Sequence, residues 1–163
     1  MSRSRRGILG FGLLAALAGC AAPPPPPPPT VVSLTLAATA DANPDPAGQG
    51  APVVLRVYQL ASTAAFGNAE FFDLFNQDAA TLKTDLIKRD DVVLAPGQTK
   101  TVTLMPTDQV KSVGIFAGYR DYAHATWRAA ADVPPHKTTK LTVTAGKTGI
   151  AIAPTAGSPA PGP

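Results

Sequence analysis

The sequence predicts an all-β protein, a two-sheet β-sandwich with a short helical insertion. Three observations carry this. Short runs alternate apolar and polar residues, turn-forming residues separate those runs, and a single stretch of three- and four-residue apolar spacing interrupts them. The sandwich is expected over residues 30–153, between two proline-rich segments.

The first strand is read over Val31–Ala38, where Val32, Leu34, Leu36 and Ala38 alternate with Val31, Ser33, Thr35 and Ala37. Successive side chains of a strand point to opposite faces, so this run has one buried face. Pro52–Leu60 gives a second strand, with proline at its start, where no ladder donor is needed. Further strands are expected at Leu86–Leu94, Thr99–Met105, Val113–Tyr119, Thr126–Ala131, Thr139–Thr144 and Gly149–Ile152. Pro96-Gly97 marks a tight turn between two of them. Between Thr63 and Leu82 the apolar residues fall at Phe66, Ala69, Phe72, Leu74, Phe75, Ala79 and Leu82, the period of a helix. Phe66, Phe71, Phe72 and Phe75 lie in this stretch, which reads as a helical flap sealing the sandwich in preference to an exposed binding patch.

The ends have a different character. Arg3, Arg5 and Arg6 precede an apolar run, Ile8–Ala18, too short to span a bilayer, and Leu17-Ala18-Gly19-Cys20 follows. This arrangement resembles a bacterial lipoprotein signal over residues 1–19, with the Cys20 thiol receiving the lipid. Two or three acyl chains anchor a protein stably where one does not. Ala21 and Ala22 carry no acidic residue after the anchor, as in lipoproteins passed on to the outer membrane. Ser4–Leu9 loosely resembles a twin-arginine signal, but general secretory export is the preferred reading. Pro23–Pro29, seven prolines in a row, completes an anchor-and-tether segment at 20–29. In polyproline II it spans on the order of 20 Å and lifts the domain off the membrane. Residues 154–163 are rich in Pro, Gly, Ser and Ala and read as a disordered tail.

Composition excludes several roles. Three of the 14 basic residues lie in 1–19, leaving 11 against 11 acidic ones, so the mature chain is formally neutral. No Lys/Arg cluster remains to neutralise phosphates, and nucleic acid is not an expected partner. With Cys20 as the only cysteine, no disulfide framework forms. His124 and His136 have no metal-site spacing around them, the serines have no nucleophile elbow, and no phosphate-binding glycine loop occurs. No catalytic residue, metal or cofactor is expected. Lys88-Arg89-Asp90-Asp91 reads as a solvated mixed-charge strand edge, and Trp127-Arg128 as the completion of a core edge.

Several segments in order carry a family resemblance. They are Cys20, Asn43-Pro44-Asp45, Arg56–Leu60, Phe66 with Glu70–Leu74, Pro96-Gly97, Gly118-Tyr119-Arg120-Asp121 and Trp127-Arg128. Together the chain resembles the outer-membrane lipoproteins of the bacterial type VI secretion membrane complex. The resemblance implies a transthyretin-like sandwich of two four-stranded sheets with a helical addition. It implies no enzymatic activity and a location on the periplasmic face of the outer membrane, held in its lipid by acylated Cys20. It further implies that the protein tethers the complex by binding the periplasmic C-terminal region of a large inner-membrane secretion protein. In the family the loop between the first two strands contributes to that contact. Here it is 40–50, with Asp41, Asn43, Pro44, Asp45, Gly48 and Gln49 as the candidate partner-binding residues. Asn-Pro and Asp-Pro steps favour fixed turns and lower the entropy lost on docking. Two other classes compete. A transthyretin-related periplasmic hydrolase needs a characteristic C-terminal Tyr-Arg-Gly-Ser, which is absent, and a glycan-binding lipoprotein needs several exposed aromatics, against one Trp and three Tyr here.

Overall fold

The computed structural model describes residues 23–155; the expected signal segment, Cys20 and the expected tail from 156 onward lie outside the described residues. Eight strands form two four-stranded sheets. They are β1 (Val31–Ala38), β2 (Val53–Leu60), β3 (Leu86–Leu94), β4 (Thr99–Leu104), β5 (Ser112–Ala117), β6 (Arg128–Asp132), β7 (Thr138–Ala145) and β8 (Ile150–Pro154). One sheet has the order β4-β1-β7-β8 and the other β3-β2-β5-β6. Neighbours are antiparallel except β1 and β7, which run parallel from Val31↔Thr138 to Ala38↔Ala145.

The alternation in β1 has the expected consequence. Val32, Leu34, Leu36 and Ala38 are buried between the sheets with Val53, Leu55, Val57, Val113, Ile115, Leu141 and Val143. The second sheet is covered on both faces at its centre, and every residue of β5 is buried. Its outer face is roofed by the insertion between β2 and β3, where Tyr58, Leu60 and Phe116 pack against Phe66, Phe71, Leu74 and Leu82.

That insertion is two helices, α1 (Ala64–Asn68) and α2 (Phe71–Leu82), followed by one 3-10 turn at Lys83–Asp85. Ala69 is extended (φ −69°, ψ 146°) and breaks the continuous periodicity. α2 starts on a capping box in which Glu70 and Asp73 satisfy each other's backbone N–H groups, and it kinks at Gln77. A kink leaves nearby carbonyls without helical partners. Arg56 takes two of them, its Nη1 donating to Leu74 O (2.6 Å) and Phe75 O (2.9 Å). Arg128 does the same for α1, donating to Phe66 O (3.2 Å) and Ala69 O (2.6 Å) while its guanidinium lies 4.7 Å from the Trp127 ring centroid. Trp127-Arg128 therefore has the structural role expected of it.

Arg89 and Asp91 do more than decorate an edge. Arg89 pairs at 2.9 Å with buried Asp78, which also accepts from Tyr58 Oη at 2.9 Å, and Asp91 lies 3.4 Å from Arg89 Nε. Burial pushes the Tyr58 phenol well above its ordinary value, and its bond to Asp78 adds to the rise. For Asp78, burial acts upward, but the bonds from Arg89 and Tyr58 outweigh it and hold the carboxyl below its usual value.

Strand boundaries move slightly. β5 ends at Ala117 because Tyr119 N–H turns back to Ala117 O (2.9 Å), and Thr126 makes an isolated parallel bridge to Gly149 before β6 begins. Pro154, read as the first tail residue, closes β8, and Thr155 still donates its N–H to Lys140 O at 3.0 Å.

Candidate docking site at the loop end

The topology sorts the connections to two ends. At one end Val31 N–H bonds Lys137 O (3.0 Å), His136 N–H bonds Thr30 Oγ1 (2.8 Å), and the His136 ring Nδ1 donates to Pro28 O (3.0 Å). The proline run Pro23–Pro29 joins the domain there. At the other end lie the β1–β2 loop, the Pro96-Gly97 turn, the β5–β6 loop and the β7–β8 turn. Eight residues of β1 separate the two ends, about 26 Å at strand rise.

The 40–50 loop is built, not merely strung between strands. Ala42 is fully buried and Asn43 is 3% exposed, so the loop's base belongs to the core. Asn43 sits in the left-handed region (φ 47°), which asparagine tolerates better than most residues. Its Nδ2 donates to Pro52 O (2.8 Å), and its Oδ1 accepts from Arg120 N–H (2.9 Å). Asn43 therefore ties the β1–β2 loop to the β5–β6 loop. Of the candidate partner-binding residues, Asn43 is the buried one, with both halves of its amide engaged inside, where it positions the loop.

Asp45 shapes the tip. Its Oδ1 accepts from Ala47 N–H and Gln49 N–H, both at 2.9 Å, while Gly48 N–H and Asp45 N–H bond across the turn to Asp45 O and Gln49 O. Gly48 has φ +81°, a conformation that favours glycine. A Cβ on Gly50 would collide with Ala40 O, so that position also needs glycine. Asp41, Pro46, Ala47, Gly48 and Gln49 are exposed, and Pro44 and Asp45 are half-buried. Asp41 is held by Thr39 Oγ1 at 2.7 Å. Of the six sequence-predicted contacts, the structure exposes Asp41, Gly48 and Gln49, half-buries Pro44 and Asp45, and buries Asn43.

Beside the loop is a slot of about 160 Å³ lined by Pro44, Tyr119, Asp121, His124, Ala125, Lys147 and Thr148. Tyr119 closes its floor, donating to Gly146 O at 3.0 Å, and burial pushes its phenol up to about 12. His124 Nδ1 lies 2.7 Å from Asp121 Oδ1, with side chains 81% and 71% exposed. A general base in a triad is oriented by a buried carboxylate, and this pair is solvated on both sides. Among the described residues, no three His, Cys, Asp or Glu side chains converge to hold a metal, and no helix is long and apolar enough to cross a membrane.

Residues 30–148 match the family described as type VI secretion lipoprotein, VasD, EvfM, TssJ. The chain belongs to that family. Among solved structures, the T6SS lipoprotein TssJ1 from Pseudomonas aeruginosa is similar at 40% identity and TM-score 0.76, over 82% of this chain and 100% of that one. Serratia marcescens Lip, a membrane-bound component of the type VI secretion system, is similar at 28% identity and TM-score 0.73, over 78% and 99%. A chain of the type VI membrane complex is similar at 27% identity and TM-score 0.67, over 77% and 98%. Comparison with curated protein sequences gives no match. The chain thus has the two-sheet architecture its sequence predicts.

Sequence reasoning did not find the Asn43–Arg120 link, the Tyr119–Gly146 floor or the Tyr58–Asp78–Arg89 network. An Asn-Pro step is a turn signal, but it does not say which loop the amide will reach.

Proposed function

We propose that this lipoprotein is held in the outer membrane by acylated Cys20 and tethers the type VI secretion membrane complex. It does so by docking the periplasmic C-terminal region of a large inner-membrane partner on the 40–50 loop. The polarity of the domain carries this reading. The tether joins at the Thr30–His136 end, and the loop lies at the opposite end, so a lipid-anchored domain presents the loop toward the periplasm. Similarity to a chain of the type VI membrane complex supports a place in such an assembly.

The chemistry agrees with docking. Asp45, Asn43 and Gly50 fix the loop before any partner arrives, and a pre-ordered loop loses little conformational entropy on binding. Exposed Asp41, and Asp45, whose Oδ1 takes both backbone bonds, offer carboxylate oxygens to basic or polar groups. A mechanical rather than enzymatic role accords with membership of a family of secretion lipoproteins.

A photo-crosslinking residue placed at Gln49 in living cells tests the reading, with Lys137 at the tether end as control. Crosslinks to the inner-membrane partner from 49 and none from 137 are expected. The reverse pattern contradicts the proposed polarity.

A further inference from the structure

We propose that the 40–50 loop is the polar rim of the docking surface, and that its apolar core is a stripe formed by Val93, Val54, Phe75, Phe72 and Tyr122. This rests on the docking reading above and enlarges its site.

These five residues are 51%, 38%, 45%, 49% and 38% exposed, and they account for all but Met105 of the large hydrophobic side chains exposed among the described residues. They are contiguous. Val93 and Val54 are register partners across β3 and β2. Gly118 lies between Val54 and Phe75, since a Cβ built on it would sit 3.8 Å from Val54 Cβ and 3.9 Å from Phe75 Cε2. Phe75 is 6.5 Å from Phe72 between ring centroids, and Phe72 is 4.9 Å from Tyr122.

The stripe has a rigid foundation. Buried Phe71 stacks on Tyr122 (4.6 Å) and Phe75 (5.8 Å) and meets Trp127 edge-on at 5.4 Å. Arg56 lies 5.6 Å from the Phe75 centroid, fixed by its bonds to Leu74 O and Phe75 O. Aromatic side chains held in place before binding lose little entropy on contact.

Position and area identify the occupant as the same inner-membrane partner. Tyr122 belongs to the β5–β6 loop, whose Arg120 N–H is bonded to Asn43, and Val54 follows Pro52, whose carbonyl Asn43 also holds. Stripe and loop therefore share one scaffold at the periplasm-facing end, away from the lipid. A stable interface takes roughly 800 Å² from each partner and has an apolar centre. The exposed loop residues, Asp41 and Pro46 to Gln49, are too few and too polar to supply it. The five stripe residues add on the order of 400 Å² of largely apolar surface, the size of patch that is often functional on a monomer. The matching partner surface is apolar and indented to receive Phe72, with polar groups where it meets the loop.

The test uses the full-length lipoprotein held by its own lipid in nanodiscs and the purified periplasmic C-terminal fragment of the partner. Phe72→Gln combined with Val93→Thr should weaken binding at least thirtyfold, mainly through faster dissociation, with the melting temperature nearly unchanged. Phe72→Leu alone should stay within threefold of wild type. Carbene footprinting of the unmodified protein needs no variant, and the fragment should protect Phe72 and Tyr122 from labelling. Wild-type affinity in the double variant, or unchanged labelling, overturns the stripe. If that happens while a variant with residues 45–49 replaced by Gly-Asn-Gly loses affinity, the loop reading stands alone. Wild-type affinity in both variants removes the docking site as a whole. A concentration-dependent dimer abolished by the double variant, with fragment binding intact, would assign the stripe to a second copy and also overturn the proposal.

Discussion

Replacing Asn43 with Ala should damage the fold more than any exposed loop residue can. The amide makes two bonds, to Pro52 O at 2.8 Å and from Arg120 N–H at 2.9 Å, at a site 3% exposed. Each partner group left unpaired costs about 1–3 kcal/mol. Alanine at φ 47° adds about 1 kcal/mol of backbone strain. Water reaching the half-exposed loop recovers part of this, so a net loss of about 3–4 kcal/mol is expected. That is a large share of the 5–15 kcal/mol typical of whole domains. Asn43→Gly relieves the strain but not the lost bonds and should recover about 1 kcal/mol. Asn43→Asp keeps the acceptor for Arg120 N–H and loses the donor to Pro52 O. Urea unfolding of the full-length protein in mild detergent, followed by Trp127 fluorescence, measures all three. An Ala variant within about 1 kcal/mol of wild type would refute the assignment of Asn43 as the link between the two loops.

Cys20→Ser should leave a folded domain that no longer fractionates with membranes or incorporates labelled fatty acid, because a hydroxyl cannot form the thioether anchor; equal labelling in the variant contradicts the lipoprotein reading. Gly50→Ala should distort the loop base and weaken partner binding, read as lowered stability together with lowered affinity, because its Cβ meets Ala40 O. Asp78 is held below its ordinary value, so its stabilisation is present above the usual carboxylate range and is lost as pH falls through its folded value. Asp78→Asn should therefore lower stability at neutral pH and flatten the acid limb of the stability curve, and an unchanged acid limb contradicts this.

The sequence made the sheets legible because strand burial is written locally. In β1 the alternation Val32, Leu34, Leu36, Ala38 maps directly onto the inner face. In β5 and the second half of β2 both faces are covered, so the near-continuous apolar runs Val57–Leu60 and Val113–Ala117 lose the period but keep the element. The insertion was legible as helix, but its break was not, since Ala69 is a good helix former that tertiary packing holds extended. The flap reading holds for Phe66 and Phe71, which are buried, while Phe72 and Phe75 of the same period face solvent. The loop was legible as a length and a composition. Its division into a buried base at Ala42-Asn43 and an exposed tip depends on a bond to Arg120, 77 residues away, and no local pattern encodes that. Cys20 stands outside the described residues, so the anchor continues to rest on the signal pattern and the family.

The central claim is that the loop end of the sandwich docks the inner-membrane partner, and calorimetric titration tests it most directly. The periplasmic C-terminal fragment of the partner is titrated into the full-length lipoprotein in nanodiscs. The comparison is with a variant in which residues 45–49 become Gly-Asn-Gly while Ala42 and Asn43 remain. Affinity should fall more than tenfold, about 1.4 kcal/mol, with circular dichroism unchanged. Equal affinity in a well-folded variant would contradict the account.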